Sequence, residues 1–174
     1  MRCSARSAGL AAAVLLAVAG VGSSGAAMAV SPTPGTIPVT ISYYSVSTEM
    51  NMYTQNGQLI TDPNATPVVG DYFVGTDNDY VGTQANHSMD VAATDHLFCL
   101  IVQAPADAVC SGQIAMGTSM IFADNAMQNF SSNSTSQTYR ITGGTGAYQG
   151  AQGTVTSTEI GTTNNSEFMI TVTK

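Results

Sequence analysis

Ile141-Thr-Gly-Gly-Thr-Gly-Ala-Tyr-Gln-Gly-Ala-Gln-Gly-Thr-Val155 places five glycines, at 143, 144, 146, 150 and 153, within eleven residues. One β-prone run ends at Thr142 and another starts at Thr154. Glycine loses more backbone freedom on folding than any other residue, so this density implies a local need for positive φ or for close approach of two backbones. A phosphate cradle fits poorly. Gly144-x-Gly146-x-x-x-Gly150 lacks the last spacing of a dinucleotide fingerprint, no Gly-Lys-Ser/Thr is present, and no helical pattern follows to supply a dipole. The glycines read as structural.

On either side of this segment the texture is β. Val39, Ile41 and Tyr43 alternate with Thr40 and Ser42, and the apolar phase then moves to Val46, Met50 and Met52. That shift predicts a bulge or a strand end near Ser45. Asn56-Gly57 and Asp62-Pro63-Asn64 are turn signals. Val68 to Val74 reads as a strand interrupted by Gly70, followed by a loop around Gly75-Thr-Asp-Asn-Asp79. Leu97 to Val102 is apolar on both faces and is expected to be a central strand buried on both sides. Cys110, Gly112, Ile114, Met116, Thr118, Met120 and Phe122 share one face of a long period-2 register. Ala123 to Thr138 reads as a polar connection. Tyr139 to Thr142 and Thr154 to Ile160 are strands, and Phe168, Ile170 and Val172 mark the inner face of the last one. Seven or eight strands at hairpin spacing, without a helical period, predict a closed antiparallel barrel or a sandwich.

The N-terminus reads as a targeting segment. Arg2 and Arg6 precede an apolar run from Leu10 to Val21, and Ala27-Met28-Ala29 is a small-x-small cleavage site. The expected organisation is a secretory signal over 1–29, a Pro/Thr-rich leader over 30–38 and a β domain over 39–174. The run is too short for a stable membrane span. Removing the first 29 of 174 residues leaves 145, and loss of Arg2 and Arg6 takes the net charge from −7 to −9. Arg140 and Lys174 are then the sole cationic side chains, which argues against nucleic acid and anionic lipid as partners. Cys99 and Cys110 form an even pair in an exported chain and read as a disulfide pinning a hairpin, the alternative being a free thiol at Cys99.

Three blocks resemble the allene oxide cyclase and dirigent superfamily: Val69-Gly-Asp-Tyr-Phe-Val74, Leu97-Phe-Cys-Leu-Ile-Val-Gln103, and the glycine segment Ile141 to Gly153 with Tyr148 in the aromatic position of the family hallmark. The resemblance covers about Val39 to Lys174 and implies an all-β, closed antiparallel eight-stranded β-barrel. In such a barrel Gly143-Gly144 makes an abrupt turn, Tyr148 plugs one end, and Gly150 and Gly153 let the next strand bend and pack closely. It further implies a cofactor-free, isomerase- or cyclase-like activity that guides ring closure or coupling of a small apolar metabolite, and a dimer or trimer. Such catalysis works through restricted conformation and placed charge. The first-strand acid that matches best is Glu49, and Cys99 falls on the position of the plant enzymes' cysteine.

Glu49 is either a lumen acid, raised by desolvation, or an exposed acid at a strand end. Asp71 is either a pocket acid or a turn cap. Tyr43, Tyr72, Met116 and Met120 are candidates to line a cavity, with simple core packing as the alternative. His87 and His96 near Asp90 and Asp95 match no metal-ligand spacing, and Asp77-Asn-Asp79 lacks the glycine and downstream glutamate of a calcium loop, so no metal is expected. No nucleophile elbow appears. Three functions fit: a cavity-guided cyclase or dirigent-like protein, a non-catalytic barrel that binds a hydrophobic ligand, and a barrel with a filled lumen. A cavity above about 300 Å³ with a buried carboxylate marks the first, a purely apolar cavity the second, and a lumen packed solid the third.

Overall fold

The structure, a computed structural model, describes residues 37–104, 107–130 and 135–173, without the side chains of 125 and 126. The expected signal segment 1–29 lies outside the described residues, as does the leader up to residue 36. Nine strands run β1 (Val39–Tyr53), β2 (Tyr72–Thr83), β3 (Asn86–His87), β4 (Ala93–Gln103), β5 (Asp107–Met116), β6 (Ser119–Asn129), β7 (Ser136–Gly144), β8 (Gln152–Glu159) and β9 (Ser166–Thr173). They hydrogen-bond in the order β1-β9-β8-β7-β6-β5-β4-β2, and β1 pairs again with β2, which closes an eight-stranded antiparallel barrel. The short β3 adds a hairpin to the end of β2, pairing Gly82 with His87.

Alternation places one face of each strand inside. Ile101, Ile121, Ile141 and Ile170 are fully buried and come from four strands, so the core is the barrel interior itself. Beside them the Cys99–Cys110 disulfide joins directly paired positions of β4 and β5. The expected phase shift in β1 is a bulge between Ser47 and Glu49. Thr48 is the extra residue, so Tyr43 and Ser45 face inward before it and Met50 after it.

The glycine segment is a corner between β7 and β8, built on a single 3-10 turn, Gly146–Tyr148. At Gly144 a Cβ would stand 2.5 Å from the Met120 carbonyl oxygen and 2.6 Å from that of Tyr148. At Gly153, where φ is +138°, a Cβ would overlap the Thr171 carbonyl oxygen on β9. Both positions need glycine for close backbone approach. Tyr148 is partly buried against the core.

Five local expectations differ from the structure. The strand expected over Val68 to Val74 begins only at Tyr72, because the chain turns just before it, with Asp71 N donating to the Val68 carbonyl. Gly75-Thr-Asp-Asn-Asp79 is the middle of β2 rather than a loop, because β1 and β4 satisfy its backbone on both sides whatever its side chains. The long register from Cys110 to Phe122 is broken at Gly117, whose φ of +61° makes a two-residue hairpin turn. The turn reverses parity, so Ile121 faces inward opposite Ile114, and Met120 lies opposite Ala115 on the other face. The polar connection shrinks, because β6 continues to Asn129 and β7 starts at Ser136. Leu97 to Val102 is buried on one face only: Phe98 is 43% exposed, Leu100 38% and Val102 37%.

Candidate functional site

Polar residues buried on the inner face mark the site. β2 turns Phe73, Gly75, Asp77 and Asp79 inward, and Asp79 is fully buried. Asp95 of β4 pairs across the ladder with Asp77 and is 6% exposed. Ser45 of β1 pairs with Asp79 and is also fully buried. Its Oγ lies 3.2 Å from Asp77 Oδ2 and 3.3 Å from Asp95 Oδ2. Two carboxyl groups on adjacent strands thus meet at one serine, and a third, Asp79, is that serine's ladder partner.

Proton bookkeeping follows from that arrangement. A hydroxyl carries one hydrogen and can donate to only one of the two carboxyl groups. Both contacts become hydrogen bonds when one carboxyl is protonated and donates to Ser45 Oγ while Ser45 donates to the other. Asp79 Oδ1 and Oδ2 and Asp77 Oδ1 have no hydrogen-bond partner among the described residues. Arg140 is the only Lys or Arg among the described residues, and it is exposed on β7. No positive side chain offsets the cluster, so burial must be relieved by protonation.

The electrostatics agree. Burial, and then the charges of Asp79 and Asp77, push the Asp95 carboxyl up to about 9. Burial likewise pushes Asp79 up to about 6, and raises Asp77 against the opposing hydrogen bonds of Ser45 and Ser47. The three titrate as one unit, and at neutral pH the unit retains a proton, held chiefly on Asp95. Burial also raises Tyr139 to about 12, with the charges of Asp95 and Glu159 adding to the effect, while its hydroxyl donates to Gln128 Oε1 at 2.9 Å. Tyr43 is raised by burial, with Tyr148 and Asp79 adding to it.

A cavity of about 140 Å³ has Asp77 and Asp95 in its wall. Phe73, Leu97, Ile114, Val155 and Phe168 make most of its apolar lining, and Gln128, Tyr139 and Ser166 add polar groups. Met50, Phe130, Glu159 and Asn164 come from the end where β1, β6 and β8 finish. There Phe130 packs edge-on against Phe73, ring centroids 4.5 Å apart. The glycine corner lies at the opposite end, where β7 ends and β8 begins. Among the described residues no group of three or more His, Cys, Asp or Glu is arranged to hold a metal ion.

Solved structures share this architecture. The chain is similar to a pyocyanin demethylase, with a TM-score of 0.53 and 20% identity over 78% of this chain and 100% of that one. Two pterocarpan synthase dirigent proteins match with TM-scores of 0.51 and 0.52, at 12% and 16% identity. They cover 80% and 82% of this chain, and 94% and 93% of their own. The chain folds as an allene oxide cyclase/dirigent-like barrel. No protein-family model and no curated protein matches it in sequence.

The dirigent-like barrel distributes the residues singled out from the sequence unevenly. Glu49 is exposed just past the β1 bulge, where its Oε1 accepts from Asn51 Nδ2 at 2.7 Å. Asp71 is buried before β2 and caps the preceding loop, accepting from Val68 N at 2.9 Å and Gln55 N at 3.2 Å. Neither lines the cavity, and neither do Tyr43, Tyr72, Met116 and Met120. Tyr43 and Met116 belong to the core packing. Tyr72 stacks on Tyr53, ring centroids 5.3 Å apart. Both sulfurs of Cys99 and Cys110 are held in the disulfide, which leaves Cys99 no free thiol. The sequence reading missed Asp77, Asp79, Asp95 and Ser45. A period-2 signal did exist: Phe73, Gly75, Asp77 and Asp79 are alternate residues, in phase with a strand that runs through the polar stretch.

Proposed function

We propose that this barrel binds a compact, largely apolar molecule in its lumen and promotes a cyclisation or coupling step by hydrogen bonding or proton donation from Asp95. The observation that carries this reading is a mostly apolar cavity with two carboxyl groups, Asp77 and Asp95, in its wall and Ser45 Oγ 3.3 Å from Asp95 Oδ2. Desolvation keeps the proton on Asp95 at neutral pH, where an ordinary aspartate would have lost it. The lumen restricts the ligand's conformations, and the buried acid polarises a carbonyl, an epoxide or a related acceptor as charge develops on it. The names of the similar proteins, a demethylase acting on pyocyanin and two pterocarpan synthases, support small-molecule chemistry in this kind of barrel. At about 140 Å³ the cavity is below the ~300 Å³ expected of an ordinary ligand pocket, so the ligand is small, or Met50 and Phe130 swing aside to admit it. Export through an N-terminal signal and work outside the cell fit the disulfide.

The test is a panel of small epoxides, enones and phenols incubated with the protein and with Asp95→Asn, with product yield and handedness read by chiral chromatography. Acid assistance predicts a product that wild type forms and Asp95→Asn forms about 10²-fold more slowly. Equal rates and equal handedness with both proteins would remove Asp95 from the step, and no product above the protein-free rate would leave a ligand-binding barrel without turnover.

A further inference from the structure

The charge balance of the lumen restricts what it can hold. Asp77, Asp79 and Asp95 face inward, and Arg140, the one Lys or Arg among the described residues, sits on the outside of β7. A carboxylate ligand would bring a further negative charge into this space with no cation to meet it. A ligand carrying a weakly basic acceptor is in the opposite position: it can take the hydrogen bond of a protonated carboxyl.

We infer that the lumen selects compact, uncharged ring compounds bearing a weakly basic acceptor, a ring nitrogen or a conjugated carbonyl, and rejects anions. The inference rests on the proposed ligand-binding lumen and names its substrate class. No bond breaks: the Asp95 O–H donates to the acceptor, and the proton stays on Asp95, the stronger base of the two. Asp79 stands behind the cavity wall, fully buried, with neither oxygen partnered among the described residues. It contributes a negative field that disfavours an anion in the lumen.

The groups around Asp95 oppose none of this. β2 supplies Asp77 and Asp79, β1 Ser45, β6 Gln128, β7 Tyr139 and β8 the mouth residue Glu159. Its pair partner on β5 is Ile114. His96, the next residue on β4, is exposed, with Nδ1 3.1 Å from Thr76 Oγ1.

Three two-ring probes of nearly equal size test the inference on the unmodified protein: naphthalene, quinoline and 2-naphthoate. At neutral pH quinoline is uncharged in water. The expected result is that naphthalene and quinoline bind, quinoline at least about tenfold the more tightly, and that 2-naphthoate binds at least about tenfold more weakly than either. Asp95→Leu, its fold checked by circular dichroism, should bind naphthalene and lose the preference for quinoline. The inference is overturned if 2-naphthoate binds as tightly as quinoline, or if wild type binds quinoline no more tightly than naphthalene. If naphthalene fails to bind at all, the lumen is not a ligand cavity and the proposed function falls with the inference.

Discussion

One serine hydroxyl between a buried and a half-buried carboxyl group sets the chemistry of the molecule at the scale of the residue. Asp95 keeps its proton up to about pH 9 in the folded chain, against about 3.8 for the ordinary group. The folded state therefore binds more protons than the unfolded chain across that interval, and the sign is the reverse of the common salt-bridged aspartate. Stability is full below about pH 4 and falls as the pH climbs through 6, where Asp79 titrates, toward 9. Denaturant titrations across this range should show a loss on the order of several kcal/mol. Asp95→Asn keeps the shape and the hydrogen-bonding capacity while removing the charge. It should stabilise the protein at pH 8 by about 1 kcal/mol or more and flatten the pH profile, even as it removes the acid. A variant whose stability falls between pH 4 and 9 as steeply as that of wild type would show that Asp95 does not hold a raised proton there. Little of this was legible in the chain. Asp77-Asn-Asp79 looks like a loop because acids and amides dominate it, and composition says nothing of a pair partner, here Asp95, eighteen residues from Asp77 in sequence. Glu49 drew attention from its place on the first strand, and the extra residue at Thr48 turns it out to solvent.

Among the elements, the β4–β5 hairpin and the glycine corner show how sequence signals became geometry. Cys99 and Cys110 were legible as a bridge, because an even pair flanking a short turn leaves few alternatives, and the structure places them at directly paired positions. Replacing both with alanine should cost about 3 kcal/mol, read as a midpoint shift in denaturant with little change in slope. An unchanged midpoint would show that the paired strands alone hold the hairpin. The corner was legible for a similar reason: five glycines in eleven residues have a strong physical cause. Gly144→Ala pushes a methyl group into two carbonyl oxygens and should destabilise by at least about 2 kcal/mol in thermal unfolding. Gly150→Ala offers a control of another kind, because a Cβ there meets nothing within 4 Å and only its positive φ of 75° resists. Its cost should be about 1 kcal/mol. Equal costs at both positions would mean that crowding at Gly144 is relieved by movement of the corner. What stayed illegible is the parity change at Gly117, since a two-residue turn exchanges inner and outer faces while leaving a period-2 pattern intact to the eye.

At the scale of the whole molecule, the barrel turns three carboxyl groups inward and carries an apolar patch outside. Tyr72, Val74, Phe98, Leu100, Val102 and Val109 lie on the outer face of β2, β4 and β5, with Leu100 paired to both Tyr72 and Val109. The Tyr53, Tyr72 and Phe98 rings extend this face, the first pair stacked and the second tilted, with successive centroids 5.3 and 5.6 Å apart. This explains why Leu97 to Val102 reads as a strand covered on both sides: its outer residues have the composition of a covered face, yet Phe98, Leu100 and Val102 are more than a third exposed in the single chain. Contiguous apolar surface of this kind marks an interaction site in soluble proteins, and a second copy of the same chain meets it with the same chemistry. Light scattering coupled to size exclusion should therefore give a multiple of the chain mass at micromolar concentrations. Leu100→Lys places a charge in the middle of the patch without touching the lumen, and should return the mass to that of one chain. A monomeric mass for wild type across the accessible concentrations would rule out self-association through this face. The two surfaces are separable, because β4 alternates: Asp95, Leu97, Cys99 and Ile101 face the lumen, while Phe98, Leu100 and Val102 face outward. Leu100→Lys should accordingly change the assembly while leaving the preference for quinoline over naphthalene intact. If that preference disappears together with the assembly, the mouth of the lumen is completed by a neighbouring chain.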